Sequence, residues 1–176
     1  MKRSVSFWQT AGFLFTSVLG TFLHFLFDLT DQSPLAALVS AVNESIWEHM
    51  KLLFYPMLLF SLIQHRFWGR KQLSFWCGKL SGILLGLVLI PVLFYTYSGI
   101  LGKTFDWFNV TIFFIAAGAG YYWEYRLFSR DLVCPVPDWV FVGILVVISL
   151  VFTVLTFLPP HIPFFQDPLT GTYGLQ

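Results

Sequence analysis

Charge is what this sequence has least of. Only 11% of its 176 residues are charged, against about 25% in an average soluble domain. That scarcity excludes a chain that stays dissolved by covering its surface with ions. A basic excess is also missing. The formal net charge is +1, so the cationic footprint that phosphate backbones require is absent and nucleic acid is not an expected partner. Cysteine is nearly absent. Cys77 and Cys134 stand alone, in no C-x-x-C spacing, which removes the common zinc-ribbon and dithiol motifs. Both are expected near the cytoplasmic side as reduced thiols, without a structural disulfide. No P-loop, G-x-S-x-G or H-E-x-x-H occurs, so the usual nucleotide, esterase and zincin signatures are excluded. No internal repeat or low-complexity tract is evident.

What is there is apolar. Hydrophobic residues make up 57% and aromatics 20%, with 21 Phe, and the mean hydropathy is +0.74. Five apolar segments, 8–28, 43–64, 75–100, 107–128 and 139–158, are each about the 20 residues a transmembrane helix needs. The expected fold class is all-α: one polytopic transmembrane domain over 1–176, a bundle of about five helices. The first segment follows Lys2 and Arg3 as in a signal peptide. It has the length of a full span and no A-x-A site, so it is read as retained. Ser33 and Pro34 open a shorter stretch, 34–42, suited to an interfacial or re-entrant helix or to an overlong start of the second span. Pro56 and Pro91 lie inside spans, and Pro159 and Pro160 stop the fifth helix. Beyond them lies a polar tail, 159–176. The Asn109-Val110-Thr111 sequon falls inside a span and is discounted.

Lys and Arg set the orientation. Lys2 and Arg3, then Arg66, Arg70 and Lys71, then Arg126 and Arg130 all fall on one side of a five-span topology. The other side holds only Lys103, beside Asp28, Asp31 and Asp106. The N-terminus is therefore expected to be cytoplasmic and the C-terminus extracytoplasmic, in a multi-pass cell membrane of bacterial cytoplasmic type. Gly78, Gly82 and Gly86 on the third span, and Ala116 and Gly120 on the fourth, form small-residue stripes that let helices approach closely.

Ionisable residues inside lipid are costly and mark structure or function. His24 and Asp28 share one face near the outer end of the first span. The second opens Asn43-Glu44-Ser45-Ile46-Trp47-Glu48-His49-Met50-Lys51, with Glu44 and Glu48 on one face and Ser45 and His49 on the next. Consecutive antiparallel helices bring these together, and the tail adds His161 and Asp167. His24, Asp28, His49 and His161 suit a metal of the zinc class. Glu48, with Glu44 as a second carboxylate, suits a general base beside metal-bound water. Asn43, Ser45, Lys51 and Asp167 are their polar partners. Two other readings stay open: a buried ion-pair network, in which Glu48 and Lys51 pair, and a cation or proton pathway. Lys79 and Glu124 have matching depths toward the cytoplasmic end and are read as a structural pair.

The stretch 43–51, with His24 and Asp28 before it and Asp167-Pro168-Leu169-Thr170-Gly171 after, resembles a family of small bacterial integral membrane proteins classed only as a domain of unknown function. The resemblance covers nearly the whole chain and implies no activity. Ser45-Ile46-Trp47-Glu48-His49 is also similar to the Asn-Ile-Trp-Thr-His motif of the ceramidase and adiponectin-receptor superfamily of membrane hydrolases. That likeness implies a zinc site. The superfamily has seven spans and a closing His-x-x-x-His, whereas this chain has about five spans and only His161 in that role. The expected function is a metal-assisted membrane hydrolase or transferase acting on a lipid or lipid-linked substrate. The alternatives are a small cation- or proton-coupled transporter and a non-catalytic accessory subunit. Membrane lipids are expected partners, and a homo-oligomer is compatible with this reading.

Overall fold

Inside hydrocarbon every backbone polar group needs an internal partner, and the helix supplies one within a single segment. The computed structural model, which describes residues 2–72, 74–130 and 133–175, is built this way. Its helices are α1 (Lys2–Leu29), α2 (Ile46–Phe67), α3 (Phe75–Leu101), α4 (Asp106–Phe128) and α5 (Asp138–Phe157). The shortest, α5, has 20 residues and so spans about 30 Å, the thickness of the hydrocarbon core. No strand occurs among the described residues; one isolated bridge, Gln166 with Tyr173, closes a turn of the tail.

Among the described residues four helices, α1, α2, α3 and α5, are long and apolar enough to cross a membrane. Of these α2 is the most buried and α5 the least. Around α5, Val146, Val147, Leu150 and Val154 face outward, as lipid contact requires. The remaining helix, α4, is equally long at 23 residues but is diluted by Asp106, Asn109 and the polar run Tyr121–Arg126. It packs along both α3 and α1, so much of its surface meets protein.

The segment 34–42 is neither a long interfacial helix nor a start to α2. It folds as one 3₁₀ turn, Ala36–Leu38, with Ala36 and Ala37 buried against Phe27. The second helix begins at Ile46, later than Asn43. The reason is local. Asn43 Oδ1 accepts from Ser45 N at 3.0 Å, and Ser45 Oγ accepts from Glu48 N at 3.4 Å. An Asx turn followed by a serine N-cap competes with helix up to Ser45 and then starts it.

The cysteine expectation is corrected. Cys77, at the start of α3, and Cys134, between α4 and α5, form a disulfide with Cα atoms 6.6 Å apart. They are separated by 57 positions, so no short-range spacing reveals them; the α3–α4 packing brings them together.

That packing is a close backbone approach. A Cβ on Gly120 would stand 2.8 Å from the Gly82 carbonyl oxygen, and one on Gly82 would stand 2.5 Å from Glu124 Cγ. Gly78 lies under Phe128, and Gly86 lies near Leu53 and the Ala116 carbonyl. The stripe on α3 thus meets the stripe on α4, with glycine where backbone meets backbone. Gly120→Ala is expected to lower stability by about 1–3 kcal/mol through overpacking. Gly143→Ala, which meets nothing within 4 Å, should be neutral or stabilising by about 0.5–1 kcal/mol. Thermal unfolding of both variants in detergent checks the contrast.

Candidate metal centre

The first turn of α2 sets the centre. With Ser45 as N-cap, His49 falls one turn later, and its Nδ1 lies 2.9 Å from the Ser45 carbonyl oxygen. A carbonyl only accepts, so Nδ1 carries the proton and donates. The ring is thereby oriented and Nε2 is left to face the cleft, which is the usual support for a metal-binding histidine. That Nε2 is 3.4 Å from Glu44 Oε2. From α1, His24 presents Nε2 at 3.9 Å from Glu44 Oε1. The two imidazoles stand 5.3 Å apart, nearly perpendicular at 85°.

One donor atom from each of His24, Glu44 and His49 lies within 4.8 Å of the others. A tetrahedron with arms of about 2.1 Å has edges of about 3.4 Å. The three donor atoms, within 4.8 Å of one another, would have to draw in by up to about 1.4 Å to reach such edges. Two imidazole nitrogens and a carboxylate form a donor set that suits zinc. All three side chains are partly exposed, at 30%, 39% and 24%, so the cluster can be reached from outside.

Three clefts meet at this cluster. The first, of ≈ 630 Å³, runs from Glu44 and His49 past Phe94 to Asp106 and Asn109 and is edged by Leu169. The second, of ≈ 590 Å³, leads from His24 and His49 past Phe113 to Thr21, Val110 and Phe114. The third, of ≈ 600 Å³, is polar and shared by His24, Glu44, Asp28, Asn43 and Asp167.

The remaining expected site residues are distributed differently. Asp28 is exposed and lines the third cleft, but does not join the three-donor group. His161 lies against Tyr173, with ring centroids 4.7 Å apart, and is also outside the group. Asp167 is buried and organises the tail, its Oδ1 accepting from Leu169 N at 2.7 Å. Asn43 donates to the Gly174 carbonyl at 3.2 Å and ties that tail to the entrance of α2.

Glu48, expected as the general base, is drawn away from the cluster. Adjacent helix residues point about 100° apart, so the rotation that gives His49 to the cleft turns Glu48 inward. There its Oε2 meets Lys51 Nζ at 2.6 Å and accepts from Val42 N at 3.1 Å, while Oε1 accepts from Thr156 Oγ1 at 2.9 Å. Lys51 also donates to the Ala37 carbonyl at 2.9 Å and to Thr156 Oγ1 at 2.8 Å. The network is buried, and every proton of the ammonium has an acceptor. At the other end of the bundle Lys79 Nζ meets Glu124 Oε2 at 2.6 Å, also buried, with the cation 5.3 Å from the Tyr121 ring centre.

Asp106, Asn109 and Thr156 were not among the expected site residues. Asp106 and Asn109 stand one turn apart at the start of α4, a spacing that signals a shared polar face. Thr156 is one hydroxyl among apolar neighbours in α5 and carries no signal of its own.

A model described as a family of unknown function, DUF6512, matches residues 1–175. The chain belongs to that family. No curated protein and no solved structure matches it. The family adds no activity and does not speak to the ceramidase likeness, so the chemistry rests on the geometry above.

Breaking the closed network should be costly. Lys51→Met is expected to destabilise by about 3–5 kcal/mol, because it leaves Glu48 buried without its counter-charge. Adding Glu48→Gln should recover much of the loss. Thermal unfolding of the single and double variants tests this.

Proposed function

We propose that this protein is a metal-assisted membrane hydrolase or transferase, with a zinc-class ion held by His24, Glu44 and His49, acting on a lipid or lipid-linked substrate. The observation that carries the reading is the three-donor cluster with an open side, in which Ser45 holds the His49 tautomer and orientation. Catalytic zinc sites use three protein ligands and keep one position for water or substrate. Such an ion lowers the pKa of bound water to about 7 and polarises carbonyl or phosphoryl oxygens. The residues do the rest. His24 and His49 approach from two helices and make the centre depend on α1–α2 packing. Glu48 is committed to Lys51, so the proton-moving carboxylate is assigned to Asp106, which faces the same cleft as Glu44 and His49.

The substrate class follows from the second cleft. Its outer wall, Phe25, Val110 and Phe114, belongs to the exposed apolar surface of α1 and α4. An acyl or prenyl chain enters there from the bilayer, while its polar end reaches the histidines. The centre lies at the end of the bundle away from the basic loops, on the extracytoplasmic side of a bacterial cytoplasmic membrane in this reading.

Elemental analysis of protein purified in metal-replete detergent buffer tests the centre. About one zinc per chain is expected, falling to background in His24→Ala and His49→Ala with helical circular dichroism unchanged. Zinc content that survives both substitutions sinks the assignment. Chelator-sensitive cleavage of a fluorogenic lipid ester or phosphodiester in vesicles, lost in Asp106→Asn with zinc retained, tests the chemistry.

A further inference from the structure

Another cleft, of mixed lining, lies at the opposite end of the α1–α4 seam. It has ≈ 670 Å³ of open space between the early turns of α1 and the last turns of α4, and is lined by Ser6, Gln9, Thr10, Tyr121, Tyr122 and Tyr125. Gln9 is the informative residue. It is only 5% exposed, yet neither its Nε2 nor its Oε1 has a hydrogen-bond partner in the protein. A buried amide with neither end paired costs stability, and isosteric leucine would relieve it. Two of the surrounding hydroxyls are already engaged: Tyr121 with Thr16 Oγ1 at 2.8 Å, and Tyr122 accepting from Arg126 Nη1 at 3.1 Å. Among the described residues, no acidic or basic side chain lines the cleft itself.

We infer that this cleft is a lipid-headgroup site for a headgroup bearing adjacent hydroxyls, of the glycerol-diol type. The amide needs one partner that accepts and one that donates. A hydroxyl does either, and two neighbouring hydroxyls do both at once. A choline or other quaternary headgroup has no hydrogen to donate and only one way to interact. The polar groups on the walls are neutral hydroxyls beside Phe13 and the tyrosine rings, which suit a polyol, while Arg126 at the edge, one turn beyond Tyr122, offers a cation to a phosphate. The source is a lipid because of the position: the cleft opens on a membrane-facing seam, with exposed Phe7 on α1 and exposed Tyr122 on α4 beside it. Tyrosines gathered at such a depth mark the bilayer interface. The site stands at the end of the bundle remote from His24 and His49, and its occupancy does not require the metal centre.

The full-length protein in detergent, incubated with equal phosphatidylglycerol and phosphatidylcholine, is read by native mass spectrometry. Phosphatidylglycerol adducts should exceed phosphatidylcholine adducts about tenfold, the worth of one or two net hydrogen bonds. Gln9→Leu should erase that preference while leaving zinc content unchanged and thermal stability equal or higher. If Gln9→Leu does not fold, Thr10→Val at the exposed rim should reduce the preference several-fold. Equal retention of the two lipids overturns the inference, as does a preference that survives the substitution. Displacement of the adduct by free glycerol at millimolar concentration overturns the lipid assignment in favour of a soluble polyol.

Discussion

The buried Glu48–Lys51–Thr156 network holds the candidate centre in place. A carboxylate and an ammonium removed from water are tolerable only when their remaining hydrogen-bonding positions are filled. Here the fillings come from Val42 N, the Ala37 carbonyl and the Thr156 hydroxyl. They tie three separate pieces together: the 3₁₀ turn, the first turn of α2, and the end of α5. The short link between that turn and α2 carries Glu44. Its carboxylate therefore reaches His24 and His49 because its neighbour four positions on is locked in the opposite direction. A charge pair that would be a poor source of net stability acts here as a positioning device for the cleft above it.

The other end of the bundle follows a related logic. Lys79 and Glu124 bury a second pair, and Gly82 is where the carboxylate stem passes the backbone of α3. This explains why α4 tolerates being less apolar than its companions. Its Glu124 and Tyr121 are buried in the bundle, while Tyr122 and Arg126 stay exposed at its end. The disulfide between Cys77 and Cys134 lies at this same end. Disulfides persist chiefly in oxidising compartments, whereas the basic loops at this end led to the expectation of a cytoplasmic face. The bond and the basic loops thus make opposing statements about one face of the membrane.

Much of the architecture is legible without coordinates because the constraint behind it is local. A hydrocarbon solvent demands long apolar helices, and those are read directly from 75–100 or 139–158. Glycines spaced by four reveal the α3 face that meets α4. Lys79 and Glu124 reveal themselves by equal depth. The centre is less legible because it depends on rotation and on loops. Glu44 and Glu48 share a face only if helix extends through both. The Asx turn at Asn43 ends that condition and sends them apart. His161 follows two prolines on the correct side, but the tail folds it onto Tyr173 instead of the cleft. Gln9 looks like an ordinary polar residue near a helix start until α4 closes over it.

The sequence by itself determined that this is a membrane-spanning class of helical protein and that its unusual polar residues gather at the junction of the first two spans. Composition and run length suffice for that, since the cost of charge in lipid holds whatever the packing. Tertiary structure alone decided which carboxylate faces the histidines, which one is spent on a lysine, and which cysteines meet. Those outcomes depend on differences of about 100° in helix rotation and a few ångströms in loop path, which residue spacing along the chain does not encode.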